Sequence, residues 1–217
     1  MTPQVVVLSA PSGAGKTTIT RALLAARPDV GFSVSATSRA PRAGERHGEA
    51  YYFVSREEFA RRRAAAELLE WAEYAGHWYG TLRGEVERIL AGGRHALLDI
   101  EIEGARQVRA AYPPPRSVSI FVLPPSAAAL LERLRGRESE PRLVLARRLA
   151  RAVSELREVP RFDYVVVNDA LDAAVADVGA ILDGRAPRPP DPEALVQMVN
   201  TLAAALGRES ARLRREP

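Results

Sequence analysis

Between residues 10 and 17 the chain reads Ala-Pro-Ser-Gly-Ala-Gly-Lys-Thr, and this stretch constrains the fold more than any other. It follows a short apolar run, Val5-Val6-Val7-Leu8, and precedes a helical pattern over 17–26 that Pro28 closes. A brief apolar run bounded by a glycine turn reads as a buried strand. The order is therefore strand, glycine loop, helix, which is the context a phosphate-binding loop demands. Ala10 stands where the loop pattern has its first glycine. Gly13 and Gly15 let successive backbone N–H groups curl around phosphate oxygens, and the helix N-terminus adds its positive end. Pro11, Ser12, Ala14 and Thr18 complete the loop and the first helical turn. Lys16 is placed to reach the β- and γ-phosphates of a nucleoside triphosphate, and the Thr17 hydroxyl to ligate Mg²⁺.

Composition sharpens this reading. Of 31 basic residues, Lys16 is the only lysine. A compact ammonium enters a phosphate-wrapping loop where a planar guanidinium does not fit. The loop by itself names a nucleoside triphosphate binder and leaves the acceptor open.

Further apolar runs at 96–100, 117–123 and 164–167 alternate with helical patterns. Strands separated by helices predict an α/β fold, a parallel sheet core flanked by helices. Two stretches interrupt the rhythm. Residues 32–83 hold both tryptophans, Trp71 and Trp78, with Tyr51, Tyr52, Tyr74 and Tyr79, and read as an inserted lobe. Residues 126–157 are helical and rich in arginine, and read as a lid. The core then comprises 1–31, 84–125 and 158–186. From Pro187 a proline-rich linker leads into an amphipathic helix, completing a 187–217 tail. Its stripe is Leu195, Met198, Val199, Leu202 and Leu206, suited to pack on the body or on another subunit.

Several classes are disfavoured. Without cysteine there is no disulfide framework, thiol catalysis or Cys-based zinc site. No apolar run approaches the roughly 20 residues of a membrane span. The strand-like N-terminus lacks a basic leader pattern, so a cytoplasmic protein without a signal peptide is expected. A formal net charge of +4 is compatible with nucleic acid, anionic lipid or small phosphorylated substrates. No basic–aromatic groove pattern accompanies it, so neither a nucleic-acid nor a membrane partner is expected.

The acceptor is addressed by four runs: Phe32-Ser33-Val34-Ser35-Ala36-Thr37-Ser38-Arg39-Ala40-Pro41-Arg42-Ala43-Gly44-Glu45, Tyr51-Tyr52-Phe53-Val54, Glu67-Leu68-Leu69-Glu70-Trp71 and Tyr79-Gly80-Thr81. With the loop, these resemble the guanylate kinase family over essentially all of residues 4–183. The resemblance implies a P-loop enzyme that moves the γ-phosphoryl group of MgATP directly onto GMP, with dGMP tolerance left open. It implies that Arg39, Arg42, Tyr51 and Tyr79 hold the GMP phosphate, with Arg39 also counted in the catalytic set. Ser35, Glu70 and Thr81 would meet the guanine. The chemistry agrees. Guanidinium forks bind a phosphate dianion through paired bonds, and phenols add donors. Guanine presents N1–H and an N2 amine side by side, and one carboxylate accepts both. Adenine would leave that charge without its partners.

One segment departs from the family pattern Asp-x-Asp-x-Gln-Gly. Here it reads Asp99-Ile100-Glu101-Ile102-Glu103-Gly104. Asp99 keeps a carboxylate at a strand end, able to act on Mg²⁺ directly or through water. Glu101 replaces an aspartate that meets guanine and is one methylene longer. A modest effect on GMP affinity is expected.

Transfer between phosphates needs alignment and charge stabilisation rather than a general base. His47, His77 and His95 are accordingly read as non-catalytic. The run Leu131-Glu132-Arg133-Leu134-Arg135-Gly136-Arg137 and the triplet Arg147-Arg148-Leu149 resemble the family's lid. Arg133, Arg137 and Arg148 fall at its functional positions, and would clamp ATP and spread transition-state charge. Asn168, at the end of the last strand, falls where the family holds the adenine.

Three alternatives compete. A phosphotransferase with another phosphorylated acceptor would not need Ser35, Glu70 and Thr81. A non-catalytic protein-binding module would not need an intact Lys16, Thr17 and lid arginines. A nucleic-acid binder has only the net charge in its favour.

Overall fold

The computed structural model describes residues 2–74, 76–135, 142–185 and 191–215. In chain order the elements are β1 (Val5–Ser9), α1 (Lys16–Ala26), β2 (Val30–Phe32), β3 (Ser35–Thr37), β4 (Tyr52–Phe53), α2 (Arg56–Ala64), β5 (Leu68–Tyr74), β6 (His77–Leu82), α3 (Arg83–Ala91), β7 (His95–Asp99), α4 (Ile102–Ala111), β8 (Ser117–Leu123), α5 (Ala127–Arg135), α6 (Arg142–Leu156), a 3-10 turn at Val159–Arg161, β9 (Tyr164–Val167), α7 (Leu171–Leu182) and α8 (Pro192–Arg215). This is the expected α/β class, with a parallel sheet flanked by helices. The chain divides into two compact units: residues 1–8 with 24–119, and residues 9–23 with 120–217.

In the first unit β7 lies between β2 and β1, parallel to both, with Val6 opposite Leu97 and Gly31 opposite Ala96. Val5, Val6, Val7 and Leu8 are all buried, as a parallel strand covered on both faces requires. His95 is buried at the start of β7, and its Nδ1 accepts the Gln4 N–H at 3.3 Å, a structural role. A second sheet in this unit has the order β4-β3-β6-β5. Here β3 and β5 run antiparallel to β6, and β4 runs parallel to β3. One face of this sheet rests on α2 through Ala36, Phe59 and Leu68, with Tyr52, Val54, Trp71, Trp78 and Leu82 packed around them. Ser55 starts α2, its Oγ accepting the Glu58 N–H at 3.1 Å, with Glu57 and Glu58 in the first turn. The helix thereby holds Phe59 in the centre of that small core.

In the second unit the end of β8 runs parallel to β9, from Ile120 opposite Tyr164 to Leu123 opposite Val167. Helix α8 packs along α6, with Val199, Leu202, Leu206, Ser210 and Leu213 buried. The Ser210 hydroxyl donates to the Ala146 carbonyl at 2.8 Å. The stripe expected from the sequence is thus displaced. Met198 is 44% exposed and Leu195 half-buried, while Ser210 and Leu213 extend the packed face. A hydroxyl that finds a carbonyl partner serves as a buried position, which an apolar count does not anticipate. The start of the expected linker, Pro187, lies outside the described residues. No described helix is long and apolar enough to cross a membrane.

Candidate active site

The residues expected from the sequence to meet ATP all belong to the second unit. Ser9 ends β1 and Lys16 opens α1, so residues 10–15 carry the chain from strand to helix. The Ala14 N–H closes back on the Pro11 carbonyl at 3.0 Å. Gly13 and Gly15 have φ of +88° and +94°, where a side chain is strained. Space is closed as well: a Cβ on Gly13 would lie 2.8 Å from Leu134 Cδ2, and one on Gly15 would meet the Asn168 amide. The Thr18 and Ile19 N–H groups both turn to the Gly15 carbonyl at 3.1 Å, forming the first turn of α1.

Three elements send polar side chains to this loop. Asn168, just past β9, is buried and donates from Nδ2 to the Ala14 carbonyl at 2.7 Å. Arg133 on α5 donates to the Asn168 carbonyl at 3.0 Å and more weakly to Ala14 at 3.4 Å. Arg148 on α6 donates to Ser12 Oγ at 2.9 Å. Ala10 and Lys16 are half-buried, Pro11 is buried, and Thr17 and Thr18 are exposed on the first turn of α1. Arg133, Arg148 and Asn168 thus converge on the loop. Arg137 lies outside the described residues.

The residues expected from the sequence to meet GMP all belong to the first unit, where strand register collects Ser35, Glu70 and Thr81. Ser35 is opposite Thr81, and Thr81 is opposite Glu70, so one row crosses β3, β6 and β5. In-register neighbours share a face. The next row on that face is Thr37, Tyr79 and Ala72. Glu70 reaches this face through a bulge. Leu68 pairs with Leu82 but Glu70 pairs with Thr81, leaving one extra residue on β5. In an unbroken strand Leu68 and Glu70 would point the same way; the bulge sends Leu68 to the α2 core and Glu70 to the opposite face. Glu70 is 5% exposed and Thr81 fully buried. The Thr81 hydroxyl donates to Glu70 Oε1 at 2.6 Å.

Beside this row lies an arginine–tyrosine group. Arg39 donates from Nη2 to Glu45 Oε1 at 2.9 Å and lies over the Tyr51 and Phe53 rings at 5.6 and 5.7 Å. The Tyr51 and Tyr79 rings meet edge to face at 5.8 Å. Burial alone would lower the Arg39 guanidinium, but Glu45 and then Tyr79 overcome it and raise it above its ordinary value. Burial pushes the Tyr51 phenol up, and the charge of Asp99 pushes it further, so it remains a hydrogen-bond donor at neutral pH. Arg42 is exposed, and its N–H donates to Glu45 Oε2 at 2.8 Å.

Asp99 is half-buried at the end of β7, and Glu101 is exposed at the N-cap of α4. Glu103 pairs with Arg106 across the exposed face of α4 at 3.3 Å, so the charge at this position sits in solvent. Among the described residues no group of three or more His, Cys, Asp or Glu could hold a metal. The Thr17 hydroxyl in the second unit and the Asp99 carboxylate in the first are each hard oxygen donors, the kind that Mg²⁺ takes.

Phe53, Glu45 and Leu134 were not given roles from the sequence. Phe53 was within reach, because strand alternation puts it on the same face as Tyr51. Glu45 and Leu134 depend on contacts that only the folded chain makes.

The Guanylate kinase family model matches residues 2–185. A guanylate kinase of Symbiobacterium thermophilum is 52% identical over 177 residues, covering 82% of this chain and 83% of its own. One from a Synechocystis species is 51% identical over 172 residues, covering 79% and 89%. The crystal structure of guanylate kinase from Anaplasma phagocytophilum superposes with a TM-score of 0.69 at 32% identity, over 90% of this chain and 94% of that one. The phosphate loop, the cross-strand row and the family match over most of the chain lead to one conclusion: this chain belongs to the guanylate kinase family of nucleoside monophosphate kinases.

Proposed function

We propose that this chain transfers the γ-phosphoryl group of ATP to GMP, giving ADP and GDP, as a cytoplasmic step of purine nucleotide supply. The observation that carries the choice of acceptor is the buried Glu70 carboxylate held at 2.6 Å by Thr81, in register with Ser35. A carboxylate so fixed accepts from N1–H and N2–H of guanine. A base without those donors would bury the charge without compensation, at a cost of several kcal/mol. Arg39, Arg42, Tyr51 and Tyr79 would hold the GMP phosphate. Glu101, at the mouth of α4, would meet the base with a longer reach than the family's aspartate.

On the donor side the backbone of 10–15, with Lys16, Thr17 and Thr18, would cradle the ATP phosphates. Asn168 steadies the loop through the Ala14 carbonyl and would border the adenine. Mg²⁺, when bound, would neutralise charge on the phosphates; Thr17 would ligate it and Asp99 would act directly or through water. Arg133, Arg137 and Arg148 would stabilise the charge that spreads over the transferring group. The attacking oxygen is already ionised at pH 7, so no histidine is needed.

The test is ADP release with MgATP and, in turn, GMP, dGMP, AMP, CMP and UMP, beside a control without acceptor. Strong turnover with GMP, less with dGMP and almost none with the others is expected. Silence with all five, with ATP still bound, would overturn the assignment.

A further inference from the structure

We propose that Gly104 and Gln107, on the side of α4 that meets β5, are positioning residues that fix Glu70 and thereby set how sharply the acceptor base is chosen. The proposal rests on the reading of Glu70 as the group that meets guanine. It begins with an exposed edge. β5 is the last strand of its sheet, so its outer backbone groups have no strand to pair with. At Trp71, next to Glu70, a side chain supplies what a strand would. The Trp71 N–H donates to Gln107 Oε1 at 3.3 Å, and Gln107 Nε2 donates to the Trp71 carbonyl at 3.0 Å. One primary amide thus holds both backbone groups of one residue, which fixes the distance and the register between α4 and β5.

Three residues before Gln107, and so on the same helical face, stands Gly104. Its backbone is ordinary for a helix, so conformation does not call for glycine there. Space does. A Cβ at Gly104 would lie 2.5 Å from Glu70 Oε2 and 2.9 Å from its Cδ. The carboxylate therefore has Thr81 on Oε1 and the first turn of α4 against Oε2. The backbone N–H groups of a first helical turn lack intrahelical acceptors and carry the positive end of the dipole. A carboxylate packed between Thr81 and that turn is held in one orientation. Gln107 holds the helix at that distance, and Gly104 leaves the room the carboxylate occupies.

The test is steady-state kinetics with GMP, AMP and ATP each varied, for Gly104→Ala, Gln107→Ala, Glu70→Asp, Glu70→Gln and the double variant Gly104→Ala/Glu70→Asp. Gly104→Ala is expected to raise KM for GMP about tenfold and to compress the GMP-over-AMP ratio of kcat/KM, with KM for ATP within about twofold. Gln107→Ala should act in the same direction by a few-fold, and it removes no core packing, so it serves if Gly104→Ala folds poorly. The double variant should recover GMP affinity relative to Gly104→Ala alone, because a carboxylate one methylene shorter fits beside the new methyl. KM rising equally for ATP and GMP, or effects that simply add in the double variant, would overturn the proposal. Glu70→Gln separates the two layers. An unchanged GMP-over-AMP ratio in that variant refutes the reading of Glu70, and the positioning role falls with it. A collapsed ratio there, with Gly104→Ala and Gln107→Ala both unaltered, refutes the positioning role alone.

Discussion

The donor and acceptor sides of this molecule are assembled in different ways. The glycine loop is contiguous, residues 10–17, and turns at two positive backbone angles, at Gly13 and Gly15. The acceptor row is scattered, with Ser35, Glu70 and Thr81 on three strands, and its shape is set by pairing register and one bulge. The loop offers mainly backbone N–H groups and one lysine. The row offers a carboxylate and hydroxyls. A loop of the first kind fails when a side chain is forced into it. A row of the second kind fails when a strand slips, because a shift of one residue turns every side chain to the other face. On the proposed assignment, selectivity for a base would rest on strand register, which depends on long-range pairing.

The largest break in this comparison should come from Lys16→Ala. Loss of the ammonium should lower kcat on the order of 10³-fold while circular dichroism and melting stay unchanged, since the residue is not part of the core. Turnover within tenfold of the parent would show that the loop is not where the phosphate charge is met. Next comes Glu70→Gln on the other side. An amide cannot accept from both guanine donors with full charge, so kcat/KM for GMP should drop by about 10²-fold with KM for ATP nearly constant. A larger change for ATP than for GMP would mean that the two sides have been exchanged. Arg148→Ala tests the donor side more gently. A charged hydrogen bond of roughly 1.5–3 kcal/mol corresponds to a loss of about tenfold or more in kcat/KM for ATP. Isothermal titration with GMP alone should show unaltered affinity, and a matching loss there would contradict the division.

The smallest effect sharpens the acceptor side. The Arg42 N–H and the Arg39 guanidinium hold the Glu45 carboxyl below its ordinary value of 4.5. A group whose folded pKa is depressed stabilises above its unfolded pKa, and that contribution disappears as pH falls through the folded one. Glu45→Gln should therefore melt slightly below the parent at pH 7 and at pH 5. The gap should begin to narrow below about pH 4.5 and close as pH falls through the lower folded value, where the parent carboxyl too becomes neutral. A gap of constant size from pH 7 to pH 3 would show that packing, not charge, ties Glu45 into the loop.

The same contrast explains what could be read before folding. The loop, the helix after it, and the strands at 117–123 and 164–167 were legible because each is signalled by neighbours in sequence. Arg133 and Arg148 were legible as positions in an arginine-rich lid, and the structure brings both to the loop. The second, mixed sheet was not legible. Its strands are short, β4 being only Tyr52–Phe53, and aromatic residues occupy both faces. Nor was the bulge before Glu70, since Glu67-Leu68-Leu69-Glu70 fits either face until the partner strand is known. The apolar spacing of the tail predicts one packed face, and that face runs on to Leu213 because Ser210 finds a carbonyl on α6.

Lys16 has a last consequence, for labelling chemistry rather than catalysis. An amine-acylating reagent offered to all 217 residues meets one side-chain amine, apart from the chain's amino terminus. That amine stands at the head of α1, inside the loop. Once the more readily acylated amino terminus is blocked, a single further mass increment on the intact chain would report on the loop alone. The rate at which it appears would fall in proportion to occupancy, so a nucleotide's Kd could be measured by mass spectrometry with no tag, dye or substitution.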